Sequence, residues 1–170
     1  MIRSQPGRAR RVRNFTHRAT EPERTVAIRG ARWPSAYMEH AGHVVVVDDY
    51  GETANLLAEV LTRGGWSATG VTSAHACLAR VAGGDVAVVI TDVQMREVSG
   101  LALCRMLRDA HPLIRVVIMT GQHGHELVAA ATLAGAFDFL VKPVAIASLE
   151  RAVAHALEMF RRISTLSLVD

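Results

Sequence analysis

Lysine is almost missing from this chain: Lys142 stands alone against eighteen arginines. Cysteine is equally scarce. Cys77 and Cys104 lie far apart and match no metal-ligand spacing, which excludes a disulfide framework or a cysteine-based zinc site. They read as small, buried or half-buried residues of a reduced cytosolic protein. Aromatic residues make up only 5% of the chain, and no window approaches the roughly 18 consecutive apolar residues that a membrane-spanning helix needs. The start, Met1-Ile-Arg-Ser-Gln-Pro-Gly-Arg8, carries charge but no apolar stretch behind it, so no secretory signal is expected and the location expected is cytoplasmic.

What is present divides unevenly. Residues 1–37 hold nine arginines against two acids, or +7, whereas residues 38–170 hold ten basic and fourteen acidic residues, or −4. The early segment has few large aliphatics, no sustained periodicity, and prolines at Pro6, Pro22 and Pro34. It cannot bury enough apolar surface to offset its ordering entropy, so residues 1–40 are expected to be a basic, disordered segment. Three readings stand for it: an arm that touches nucleic acid or an anionic surface, an inert tail, or an untranslated stretch before a true start at Met38. Residues 41–163 are the expected folded domain, with 164–170 as a tail.

From residue 41 onward, strand-like and helix-like segments alternate. His43 to Val47 is a continuous β-branched run, as suits a parallel strand buried on both faces. Glu52 to Arg63 places Leu56, Leu57, Val60 and Leu61 on one helical face, with Gly64-Gly65 as the stop. Ala68 to Thr72, Val86 to Thr91, Arg115 to Thr120 and Ala136 to Val141 read as further strands. Between them, Ser73 and Ser99 can cap helices, and Gly124 to Ala134 reads as an Ala-rich helix closed by Gly135. From Ala145 on, Ile146, Leu149, Val153, Ala156, Leu157 and Phe160 keep a helical period. Five strands alternating with five helices predict an α/β fold, a doubly wound parallel sheet with helices on both faces. Functional residues in such sheets gather outside the carboxyl ends of the strands.

At those ends stand Asp48-Asp49 after strand one, Asp92 after strand three, Thr120 after strand four and Lys142 after strand five. Crowded carboxylates repel and need a compensating charge. A hard cation with oxygen ligands fits, Mg²⁺ in particular. The single lysine can meet phosphoryl oxygens as a compact point charge, and the Thr120 hydroxyl can donate to the same group. These parts describe aspartyl-phosphate chemistry.

Four stretches carry a resemblance: Val44-Val-Val-Val-Asp48-Asp49; Thr91-Asp92-Val-Gln-Met95 with Gly100 eight residues after Asp92; Met119-Thr120-Gly121; and Gly135-Ala-Phe-Asp-Phe-Leu-Val-Lys142-Pro143. In this order and spacing, residues 42–162 resemble the receiver domain of bacterial two-component response regulators. The resemblance implies a flavodoxin-like strand order 2-1-3-4-5. It makes Asp92 the phosphoacceptor, and Mg²⁺ would be held by Asp49, Asp92, the Gln94 backbone carbonyl and, through water, Asp48. Lys142 would contact the phosphoryl group, ahead of a cis Lys142–Pro143 peptide. Thr120 and Phe139 take the switch positions, and the Gln94 and Gln122 side chains sit where phosphoryl lifetime is tuned.

The partners implied are a histidine kinase or histidine phosphotransfer protein and a downstream protein, with a homodimer through helix four, strand five and helix five as a further expectation. The protein is expected to be no conventional enzyme. Arg96 departs from the family's usual proline after the methionine; a looser loop or altered surface with an intact acidic site is the expectation. No output domain is expected after the last helix.

Plainer readings stand beside these. An Asp-Asp pair can be only a helix cap, and Phe139 can be core packing. His123 and His125 have no third ligand, and His155 reads as an ordinary helical residue. Competing functions are a phosphate-independent docking module, a Mg²⁺-dependent phosphohydrolase of the haloacid dehalogenase kind, and nucleic-acid binding through the basic segment. The phosphohydrolases usually carry their nucleophile after strand one with a second Asp two residues on, whereas here the acids are adjacent. Nucleic acid is not an expected partner of the acidic domain itself.

Overall fold

The computed structural model describes residues 42–121 and 125–166, and its elements follow the predicted alternation. In chain order they are β1 (His43–Val47), α1 (Gly51–Arg63), β2 (Ala68–Val71), α2 (Ala74–Val81), β3 (Val86–Asp92), α3 (Gly100–Ala110), β4 (Arg115–Thr120), α4 (His125–Ala134), β5 (Asp138–Val141) and α5 (Ile146–Leu166). The five strands form one parallel sheet in the order β2-β1-β3-β4-β5. Its order reverses beside β1, so the carboxyl ends of β1 and β3 flank the switch point where α/β sheets place their ligands.

Strand alternation sorts the core into two layers. Val44, Val46, Val88, Ile90, Val117 and Met119 face α1 and α5, meeting Leu61, Leu149, Val153 and Leu157. Val45, Val47, Val89, Val116 and Ile118 face the other way, onto Cys77, Leu103, Cys104, Leu107 and Ala134. Every residue of β3 is buried, as expected of a central strand covered on both faces. Burial pushes the Cys77 thiol up to about 12 and the Cys104 thiol up to about 11. Both are free, and neither is positioned to react.

The caps form as their residues suggest: Ser73 Oγ accepts from the Ala76 N–H at 3.1 Å and Ser99 Oγ from the Ala102 N–H at 3.2 Å. Gly135, at φ +90°, closes α4 in a conformation that favours glycine.

Some boundaries and faces differ from expectation. The inward face of α1 is Ala54, Ala58 and Leu61, while Leu56 is 59% exposed. The cause lies across the layer: a Cβ at Gly70 of β2 would stand 2.7 Å from the Ala54 carbonyl. Small residues there let helix and strand approach, which rotates Leu56 outward. Ile146 is likewise exposed at the start of α5. Strand β5 starts at Asp138 rather than Ala136, because Phe137 turns into the α1–α5 layer and its ring lies 4.8 Å from that of His155. Helix α5 runs on to Leu166, past residue 163. Among the described residues no helix is long and apolar enough to cross a membrane. The basic segment, Met38, Gln122 and His123 lie outside the described residues, as does the side chain of His125.

Candidate functional site

The predicted acids, the threonine and the lysine lie at the carboxyl edge because a buried strand ends just before or at each, whereas Phe139 lies within β5. Asp48 and Asp49 follow β1, Asp92 closes β3, Thr120 closes β4, and Lys142 follows β5. The backbone ties these ends together: the Val93 N–H donates to the Met119 carbonyl at 3.0 Å, and the Lys142 N–H to the Thr120 carbonyl at 2.7 Å. The Lys142–Pro143 peptide is cis.

Ligand-type oxygens of Asp48, Asp49 and Asp92 all lie within 4.8 Å of one another. Asp48 is fully buried; its Oδ1 accepts from the Tyr50 N–H at 2.9 Å and its Oδ2 from Lys142 Nζ at 2.8 Å. Lys142 Nζ also stands 3.3 Å from Asp92 Oδ1. Burial pushes the Asp92 carboxyl above the usual carboxylate range. The Lys142 charge opposes that rise, while the Asp48 charge adds to it. Burial works against the charge on Lys142 as well, but its hydrogen bond to Asp48 and the charge of Asp92 outweigh it and raise the ammonium.

Asp49 is held differently. Its Oδ1 is buried with no hydrogen-bond partner, although such an atom ordinarily has one. A hard cation takes carboxylate oxygens, so an orphaned acceptor beside two further carboxylates fits a divalent ion. The other oxygen, Oδ2, lies 3.3 Å from Arg96 Nε. The acidic cluster is intact, and Arg96, expected to loosen the loop or change its surface, also makes a contact with one of its carboxylates. The loop after β3 carries it back over the loop after β1, a proximity that residue spacing does not reveal.

Two further residues shape the site. The Thr91 side chain, fully buried, donates to the Asp92 carbonyl at 3.1 Å. A Cβ at Gly100 would come within 2.0 Å of that same carbonyl oxygen, so α3 can begin this close to Asp92 only from glycine. Gln94 is exposed, and its backbone N–H works against the rise of the Asp92 carboxyl. Phe139 is 44% exposed, which removes the core-packing reading. His155 lies on the exposed side of α5, away from any ligand-type cluster among the described residues.

A flavodoxin-like sheet with three carboxylates and a lysine gathered at the carboxyl ends of its strands defines a class: a doubly wound α/β domain with a charged cluster on that edge. A family model described as the response regulator receiver domain matches residues 44–154. The chain belongs to this family and carries a receiver domain of the two-component response regulators, a signalling domain. The DNA-binding transcriptional regulator NtrC of Salmonella typhimurium is 34% identical over 118 residues, covering 67% of this chain and 25% of that protein. The chain thus spans about a quarter of the length of the curated relatives it matches. A receiver domain protein from Clostridium thermocellum superposes with a TM-score of 0.67 at 26% identity, over 72% of this chain and 98% of that one. NtrX from Brucella abortus does so with 0.69 at 28% identity, over 75% and 29%.

Proposed function

We propose that Asp92 accepts a phosphoryl group in a Mg²⁺-dependent step, and that the modified domain then engages a partner. The observation that carries this reading is the convergence on Asp92: it ends the most buried strand, Lys142 stands 3.3 Å from it, and the orphaned Asp49 acceptor lies in the same cluster.

Asp49, Asp92 and the Gln94 carbonyl would hold the metal, with Asp48 assisting through water. When bound, Mg²⁺ supplies charge neutralisation for the incoming phosphoryl oxygens. The chain's own residues do the rest. An Asp92 carboxylate oxygen attacks phosphorus, the P–N bond of a phosphohistidine donor breaks, and its electron pair returns to the imidazole nitrogen, which takes up a proton. Lys142 leaves its hydrogen bond to Asp48 to pair with a phosphoryl oxygen, as a compact ammonium suits. Thr120, at the end of β4, donates its hydroxyl to another. The donor is a histidine kinase or histidine phosphotransfer protein of the same cytoplasm, and a groove lined by Leu56, Leu57, Pro143 and Val144 beside Lys142 offers it apolar contact. The exposed Gln94 side chain, two residues after Asp92, tunes how long the acyl phosphate survives.

Phosphorylation then shifts a pre-existing equilibrium at the face formed by α4, β5 and α5, where Phe139, Leu133 and Val128 are exposed. That face takes a downstream protein or a second copy of the domain. The test is to label the full chain with radioactive acetyl phosphate and map the site. The label should be released by hydroxylamine, as an acyl phosphate is, and should be absent from Asp92→Asn. Hydroxylamine-resistant label, or equal label on Asp92→Asn, would remove Asp92 from this role.

A further inference from the structure

The family's proline position holds Arg96 in this chain, and that side chain lies against a carboxylate of the site. Arg96 Nε stands 3.3 Å from Asp49 Oδ2, with Arg96 79% and Asp49 15% exposed. Lys142 meanwhile covers Asp48 and Asp92. The three carboxylates are therefore balanced by two cations of the chain itself, leaving one negative charge where an unguarded cluster would carry three. A guanidinium stays charged at every physiological pH, so this balance does not lapse.

We propose that Arg96 is a resident counter-cation which a divalent metal must displace from Asp49, so that it raises the metal concentration at which the site loads. The inference rests on the reading of this cluster as a Mg²⁺ site and deepens it. The contact suits displacement. One end of the pair is exposed, and such pairs shift an equilibrium by only about two- to fivefold. The arginine also leaves Asp49 Oδ1 without a partner, so the carboxylate is neutralised but not satisfied. A metal that takes both demands away wins the site, and Arg96 has open solvent to move into. Proline at this position could not compete in this way, having no charge.

Binding of Mn²⁺ to the full chain, followed by the EPR signal of the free ion and reversed by added Mg²⁺, tests the proposal without reference to phosphorylation. Arg96→Ala and Arg96→Pro should each bind Mn²⁺ about two- to fivefold more tightly than the wild type. Arg96→Lys, which restores the charge, should return to within about twofold of it, and a role in loop shape alone would not be rescued in this way. Arg105→Ala, which removes an exposed charge from α3, should change nothing. Circular dichroism of Arg96→Ala should match the wild type, as an exposed side chain implies. Equal affinities for wild type and Arg96→Ala would overturn the proposal while leaving the metal site standing. If neither chain binds Mn²⁺, and Asp49→Asn is indistinguishable from both, the metal reading falls and the proposal with it.

Discussion

Lys142 Nζ lies 2.8 Å from Oδ2 of Asp48, a carboxylate with no exposed surface, and the lysine itself keeps 28% of its side chain open. The pair spans the sheet from the loop after β1 to the loop after β5. It joins the chain's single lysine to the acid that can least tolerate losing a partner. The arrangement makes Lys142 both a stabilising residue and a group held ready near Asp92, and the two roles can be separated by measurement.

Lys142→Ala should destabilise the domain by about 1–3 kcal/mol, because it strands a buried charged acceptor. Urea unfolding in the absence of divalent ions measures this. Added Mg²⁺ should recover part of the loss, since a bound ion meets the same carboxylates. A variant as stable as the wild type without metal would show that Asp48 does not depend on the lysine.

Asp92→Asn should raise the melting temperature at pH 7 by a few degrees. Burial lifts the Asp92 pKa above its value in the unfolded chain, so the native state binds more protons than the unfolded state between the two values. Stability therefore falls as pH rises through that window, and the penalty is present in full above the folded-state value. The advantage of the asparagine should shrink as pH is lowered through the folded-state pKa of Asp92. Thermal melts from pH 7 down to pH 4 would follow it, and an advantage independent of pH would point to some other origin.

Gly100→Ala should cost about 1–3 kcal/mol by forcing α3 away from the Asp92 carbonyl, the expense usual for overpacking. The same shift moves Asp92, the proposed phosphoacceptor, so labelling by acetyl phosphate should fall together with stability. Loss of stability with full labelling would separate helix packing from site geometry.

His43 should make the domain acid-sensitive. Its ring lies within hydrogen-bond distance of Ser67 Oγ and Thr69 Oγ1, at 2.7 and 2.8 Å, and burial followed by the charge of Arg80 holds its pKa below the ordinary histidine value. The stability it contributes is complete above about pH 6.5, its unfolded value, and is lost as pH falls through the lower folded value. His43→Gln should lose less stability than the wild type between pH 7 and pH 5, as measured by urea midpoints.

Much of this organisation was legible in the residues. Val44 to Val47 and Val86 to Ile90 are continuous apolar runs because both sheet faces are covered, and the polar residues that end them are therefore rim residues. Strand ends can be read in this way because burial stops abruptly there. Two features depended on neighbours distant in sequence. Leu56 reads as core by period alone, yet Gly70 and Ala54 bring α1 so close to β2 that small residues take the inside. Arg96 reads as a surface residue, yet the loop that carries it lies over Asp49. Helical period describes one element at a time, and neither contact lies within one element.

The central claim is metal-dependent phosphorylation of Asp92. Intact-mass spectrometry of the full chain and of Asp92→Asn, each incubated with acetyl phosphate and Mg²⁺ with or without chelator, tests it most directly. The account predicts one added phosphoryl group on the wild type only, abolished by the chelator. A wild type that gains no mass and also fails to bind beryllofluoride, which excludes mere rapid hydrolysis, would contradict it and leave a docking module that works without phosphate.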